Sequence, residues 1–436
     1  NWYGIELGDS SNNTLRNNCA SNNKYNFGVS GSSLSHYIHD MDDSNTVDGK
    51  PVYYWVNRRD MTVPPDAGCV ALVNCTRVTI QNLHLTHNME GVLLAFTTNS
   101  TITKNNITKG YNGIRLWKSS NNKVFENNIT ANDYFSIRLL WSLDNTISGN
   151  HITNNYVGID LYDSSRNLIS GNNITNNEVG VFLYDSSNNS VFENNIIENS
   201  DTGIRLKDCS NNSIYHNNFV NNNQQAYYLS WNYPPLTNFW DNGYPSGGNY
   251  WSNYTGVDSD HDGIGDTQHV INSNNTDRYP LMNPWATTET SIRVEGTDYR
   301  VVIVSNTIIS EIVTTENTLS FESSGTTGEK GYINVIFPMV NTTAIQVSIN
   351  GEKLTPPPFP VINTNGTYYF IYFEFNLSTH SINIKFAPTT PVDGIYILVK
   401  KLILLAPYIG LTILLAVAVV TIAYVKKRKR NTEIIS

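Results

Sequence analysis

One block recurs down the middle of this chain at intervals of 22 or 23 residues, and a period that short admits few folds. It is Asn105-Asn106-Ile107, then Asn127-Asn128-Ile129, Asn150-His151-Ile152, Asn172-Asn173-Ile174, Asn194-Asn195-Ile196 and Asn217-Asn218-Phe219. A second marker keeps step with it: Gly91-Val92, Gly113-Ile114, Ser136-Ile137, Gly158-Ile159, Gly180-Val181 and Gly203-Ile204. Self-similarity of this kind marks a repeat architecture, in which each unit buries its apolar face on the next. Every unit holds short β-branched runs of period two, broken by Ser and Asn, with no helical stripe. At about 3.3 Å per residue, such a unit suits one coil of a parallel β-helix with three short strands. Leucine-rich repeats need a Leu-x-x-Leu-x-Leu frame, which is absent, and propeller blades are longer.

In such a coil, alternation points Ile114, Leu116, Val124 and Ile129 inward, with Ile159, Leu161, Ile169 and Ile174 in the same columns. The recurring Asn can stack as a ladder along the axis and tolerate left-handed corners. Coils are expected from about Val70 to Leu229. Earlier ones are expected from Gly4-Ile5-Glu6-Leu7 to Asn18 and at Gly28-Val29. Between them, at about 36–68, the repeat breaks at Met41-Asp42-Asp43, Tyr53-Tyr54-Trp55 and Pro64-Pro65, which reads as an insertion on the solenoid. Together with Gly49-Lys50-Pro51-Val52-Tyr53-Tyr54-Trp55, the closing Gly248-Asn249-Tyr250-Trp251-Ser252-Asn253-Tyr254 and the run from Asp258 to Asp266, these coils resemble the NosD-type right-handed parallel β-helix proteins. That resemblance covers about residues 1–285. It implies the fold and membership of a wider group of carbohydrate-binding proteins and sugar hydrolases, many of them archaeal surface proteins. The family name is tied to a copper-related maturation factor.

The ends of the chain suggest an address. Leu402 to Val425 is a 24-residue run without a charge, long enough to cross a hydrocarbon core of about 30 Å as a helix. Lys426, Lys427, Arg428, Lys429 and Arg430 follow it, so the tail, 426–436, is expected in the cytoplasm and the rest outside, as in a single-pass type I protein. An export signal is expected to precede Asn1, because neither Met nor an apolar h-region opens the chain. The formal charge is −9, and residues 400–436 hold seven basic side chains against one acid, leaving −15 on the remainder. An acidic chain with 15% charged residues is not a nucleic-acid binder of the basic-patch kind. Sequons such as Asn74, Asn106, Asn128, Asn173, Asn253, Asn341, Asn365 and Asn376 are glycosylation candidates outside a cell, although an Asn-rich repeat also generates them by chance. Of the four cysteines, Cys19, Cys69, Cys75 and Cys209, only Cys69 with Cys75 suggests a disulfide.

Two sets of residues suggest ligands. Asp258, Asp260, Asp262, Gly263 and Asp266 occupy positions 1, 3, 5, 6 and 9 of a calcium loop, with the Ile264 carbonyl at position 7. Position 12 is His269, so a distal carboxylate such as Asp277 would complete the shell around a structural Ca2+. The outward column between the Ile and Leu of each coil stacks Leu93, Arg115, Arg138, Asp160, Phe182 and Arg205. The next outward positions bring Trp117, Tyr162 and Tyr184, with Trp141 nearby. Aromatic faces mixed with Arg and Asp suit sugar rings, by stacking and bidentate hydrogen bonds; a solvated face with cross-coil ion pairs is the plain alternative. An enzyme would draw on Asp160, Arg138 and Arg205, the only catalytic candidates. Copper has less support, since His36 with His39 and His84 with His87 would point to opposite faces of a strand.

After Pro284 the repeat stops and alternating segments with turns at Asn350-Gly351 and Asn365-Gly366 predict a small β-sandwich at 286–390. The fold expected is therefore all-β: a right-handed parallel β-helix over 1–285, a juxtamembrane sandwich, and a transmembrane helix at 402–425. The function expected is a membrane-anchored surface protein that binds glycans or envelope partners. The other reading is a carbohydrate-active lyase, epimerase or hydrolase, or a copper or transport accessory protein.

Overall fold

In a computed structural model of the chain, which describes residues 1–231, 236–340 and 343–388, the repeat winds into a parallel β-helix. Each coil is made by its corners, as the coil from Val157 shows. After the strand Val157–Tyr162, Asp163 takes φ 47° and turns the chain, and Ser164 points inward. The pattern repeats at Arg166 and Asn167, at Gly171 and Asn172, and at Asn176 and Asn177, with φ of 58°, 63° and 55° at the turning residues. Asn, Asp and Gly visit this region most readily, which is why they crowd the sequence there.

The inward residue of each corner then satisfies the backbone of the preceding coil. Asn167 donates its N–H to Asn189 Oδ1 at 2.8 Å, and Asn172 donates to Asn194 Oδ1 at 3.0 Å. One such ladder runs Asn105, Asn127, Asn150, Asn172, Asn194, Asn217 and Asn249. It ends on a carboxylate, an acceptor with nothing to donate: Asn249 N–H bonds Asp277 Oδ2 at 2.7 Å.

Between corners the strands stack in register. Val92, Ile114, Ile137 and Ile159 form one column, as Ile107, Ile129, Ile152 and Ile174 form another. All are buried, and each side chain contributes about 1.5–3 kcal/mol on leaving water. The broad face carries strands of six residues, such as Asn112–Trp117 and Phe135–Leu140, and the two narrow faces carry strands of three.

The first 47 residues make two coils of their own, with Tyr3–Gly8 parallel to Tyr25–Ser30. They do not continue the main stack. A two-residue turn, Asp48 (φ 49°) and Gly49 (φ 77°), makes Thr46–Val47 antiparallel to the strand Lys50–Val56, and Asp-Gly is the dipeptide such hairpins favour. The chain reverses there, and Phe27, Val29 and Tyr37 pack on Ala71, Leu93 and Trp117 of the broad outer face. Residues 36–68 are thus divided between the end of the small stack and Lys50–Val56, which pairs in parallel with Cys69–Val73 as part of the main one.

Residues 287–388 form antiparallel sheets around a second core that includes Ile303, Phe321, Phe337, Phe373 and Ile384. Cys69 and Cys75 are buried and not bonded to each other; the Cys69 thiol donates to Glu90 O and the Cys75 thiol to Trp55 O. The expected disulfide is absent because the two residues sit on either side of a coil corner, each turned to a different carbonyl. Among the described residues no helix is long and apolar enough to cross a membrane. Leu402 to Val425 and the tail 426–436 lie outside the described residues.

Candidate functional site

Strand register places Leu93, Arg115, Arg138, Asp160, Phe182, Arg205 and Tyr227 in one outward column. The folded-back coils divide it. Trp117 is buried against Tyr37, ring centroids 6.4 Å apart, and Arg115 pairs with buried Glu90 at 3.2 Å. These two members of the expected strip thus lie against the chain's own first coils and Glu90, away from the open part of the face. The open section begins with Arg138 and Trp141.

In that section Arg138 lies 4.1 Å over the Phe135 ring and 3.0 Å from Asp160. Its Nε–H does not point at the carboxylate, so the contact is an ion pair without an aligned hydrogen bond. Asp160 is 3% exposed, and burial pushes its pKa up to about 7 against the pull of Arg138. Burial also lowers Arg138, which Asp160 partly offsets. Arg205 pairs with Asp201 and lies over Phe182 and Tyr227. Beside this charged column, three residues earlier in each strand, Phe135, Val157 and Val179 make a buried apolar column.

Aromatic side chains line both ends of the strands. At the far end Trp141 meets Tyr162 at 5.6 Å, and Tyr162 meets Tyr184 at 4.9 Å. Trp141 is 40% exposed and sits at a left-handed corner, φ 50°, where the following coils have Asp163, Asp185 and Asp208. A bulky residue held there costs about 1–2 kcal/mol. At the near end Tyr111, Tyr134 and Tyr156 stack at 5.4 and 5.0 Å. This second rail was missed in the sequence, although Tyr recurs there at the coil period, two residues before Gly113, Ser136 and Gly158.

The acidic loop forms as a turn. Asp258 accepts N–H groups from Asp262 and Gly263, and Asp262 accepts that of Ile264. One ligand atom from each of Asp258, Asp260 and Asp262 comes within 4.8 Å of the others. Burial and the neighbouring carboxylates push Asp262 up to about 6 and raise Asp258. Asp266 is exposed and accepts the Ser259 N–H. The Ile264 backbone bridges to Leu281. Asp277 does not reach this group: its carboxylate is taken by the N–H groups of Asn249, Trp251 and Tyr279. Three hard oxygens suit Ca2+.

Copper fits the described residues poorly. No other group of three or more His, Cys, Asp and Glu converges among them. His36 faces Asp9, His39 faces Asn13, His84 faces Asn106 and His87 faces Asp48.

Among solved structures the chain is similar to a mutant of the periplasmic alginate epimerase AlgG, with 18% identity and a TM-score of 0.34 over 43% of this chain and 50% of that one. It is also similar to the Dettilon tailspike protein gp208, at 14% identity and a TM-score of 0.30, covering 86% and 85% of the two chains. For the Azotobacter vinelandii mannuronan C-5 epimerase AlgE4 A-module the identity is 15% and the TM-score 0.34, over 51% and 70%. The chain thus spans half the length of the first of these, and overlaps this loose leave the chemistry of the strip to its own residues. No curated protein matches the sequence. Residues 44–199 and 136–256 match the family model NosD, described as periplasmic copper-binding protein (NosD), so over residues 44–256 the coiled part of this chain is NosD-like.

Proposed function

We propose that the open section of the broad face, from Phe135 to Lys207, binds a glycan. The observation that carries this reading is the pairing of two aromatic rails, Tyr134 with Tyr156 and Trp141 with Tyr162 and Tyr184, on either side of the column that holds Arg138, Asp160 and Arg205. Aromatic faces stack on the CH faces of sugar rings, and guanidinium and carboxylate groups bond hydroxyls. The full chain applied to a glycan array tests it: retention of a defined glycan, lost in Trp141→Ala and Tyr156→Ala, supports the site. Retention unchanged in both variants, or of nothing at all, removes it.

Asp160 favours a second reading. A carboxyl that titrates near neutrality beside a guanidinium can carry a proton at working pH, as general acid–base chemistry on a glycan requires. Shortened or epimerised products that vanish in Asp160→Asn would make the strip an active site.

In this proposal the acidic loop takes a structural Ca2+ through Asp258, Asp260 and Asp262, and Leu402 to Val425 anchors the chain with its bulk outside the cell. Resistance of the chain to alkaline carbonate extraction tests the anchor.

A further inference from the structure

Charge on the open part of the broad face follows a pattern of its own. On the near side the rail of Tyr134 and Tyr156 gives way to acids: Glu178 and Asp201 stand two residues before Gly180 and Gly203, the place that Tyr134 and Tyr156 hold before Ser136 and Gly158. Asp201 donates its N–H to Glu178 O at 2.9 Å, so the two follow one another coil on coil. Glu178 is exposed, and its charge, ahead of burial, raises the pKa of the Tyr156 hydroxyl. On the far side Asp163, Asp185 and Asp208 hold the same corner of three successive coils, directly after Tyr162, Tyr184 and Lys207. Burial raises the pKa of Asp185, and the carboxylates on either side of it, Asp163 and Asp208, add to that against Lys207.

The cations of the same section already have partners. Arg138 pairs with Asp160 at 3.0 Å, Arg205 pairs with Asp201, and the Lys207 ammonium lies 4.2 Å over the Tyr184 ring. Where the first coils close the section, Asp133 takes the Lys24 ammonium at 2.7 Å. Even with Asp160 protonated, the three cations Arg138, Arg205 and Lys207 are outnumbered by the five carboxylates of the two flanks. A sugar carboxylate or sulfate entering here competes for guanidinium groups that Asp160 and Asp201 already face, and lies between two acidic rows. An uncharged ring stacks on the tyrosines and gives its hydroxyl hydrogens to Glu178, Asp163 and Asp185. From this distribution we infer that the face takes an uncharged glycan and turns acidic ones away, with Glu178, Asp163 and Asp185 setting the preference. The inference rests on the reading that this face binds a glycan, and it names the class. Repulsion of the wrong ligand contributes to specificity as much as attraction of the right one.

A glycan array built in matched pairs and probed with the full chain tests the preference. It sets mannuronate hexamer beside mannohexaose of the same linkage, galacturonate hexamer beside its methyl ester, and further neutral oligosaccharides beside their sulfated forms. Wild type is expected to retain uncharged members about tenfold or more over their acidic partners, by a margin that narrows in 1 M NaCl, where screening acts within about 3 Å. Asp163→Asn and Asp185→Asn place at φ 47° and 49° a residue that accepts those corners, and Glu178→Gln keeps the length of its side chain. The triple variant is expected to cut the margin several-fold by letting the acidic partners in; Glu178→Gln alone, at an exposed position, gives the same reading in smaller measure if the triple variant does not fold. Retention of an acidic member at or above its neutral partner, or a margin that the variants and salt leave unchanged, overturns the inference and leaves the glycan face standing. Retention of nothing by wild type removes the face and the inference together.

Discussion

Tyr37 lies over Trp117 with ring centroids 6.4 Å apart, and this contact marks where the outer face of the solenoid stops being available to a ligand. The two tryptophans flanking that boundary touch each other, Trp117 and Trp141 at 4.6 Å, yet one is 8% and the other 40% exposed.

Substitution should therefore separate them. Trp117→Ala is expected to lower stability by about 3–5 kcal/mol in urea unfolding, as for other buried large-to-small changes. Trp141→Asn removes a ring but places at φ 50° a residue that accepts it, so stability should stay within about 1 kcal/mol of wild type while glycan affinity falls by about two- to tenfold.

The ladder predicts a sharp contrast between inward and outward Asn. Asn172 accepts from the backbone and side chain of Asn150 and donates to Ile147 O and Asn194 Oδ1. Asn172→Ala leaves several buried groups without partners and is expected to cost about 3 kcal/mol or more. Exposed Asn128, whose amide reaches only Asn106, should tolerate Ala within about 0.5 kcal/mol, as chemical denaturation would register.

Asp160 sets a pH dependence whose sign is opposite to that of a salt-bridged surface acid. Its folded value, about 7, is above the unfolded value near 3.9, so its protonated form favours the folded state. That contribution is complete below about pH 4 and fades as pH rises to about 7, by an amount on the order of a few kcal/mol. Unfolding free energies measured from pH 4 to pH 8 should fall less steeply in Asp160→Asn than in wild type; identical slopes would place the carboxyl elsewhere.

Thiol reactivity should divide the four cysteines. Cys19 is exposed, whereas burial raises Cys69, Cys75 and Cys209, the last to about 12. One thiol per native chain is expected to react promptly with a disulfide reagent and four after denaturation. Three fast thiols would contradict the packing.

The coil was legible because its signals are local and repeated: Ile114, Ile137 and Ile159 announce a column by spacing alone, and each Asn pair announces a corner. The reversal at Asp48-Gly49 carried a hairpin signal too, but one two-residue turn stood among dozens of Asn, Asp and Gly that turn nothing back. Its effect on Arg115 and Trp117 depends on where Tyr37 comes to rest, a contact across 80 residues that no period encodes. The same limit applies at Asp277, which spacing suggests for the acidic loop and which packing gives to Asn249.

The Asn ladders have a direction. In each, the earlier coil donates and the later one accepts, from Asn105 to Asn127 and onward to Asp277. A chain emerging from the ribosome N-terminus first thus exposes, at its growing front, amide hydrogens that only the next coil to be synthesised can take up. The unfinished solenoid carries its unmet demand at the leading edge, and release comes only when the carboxylate arrives to finish the row.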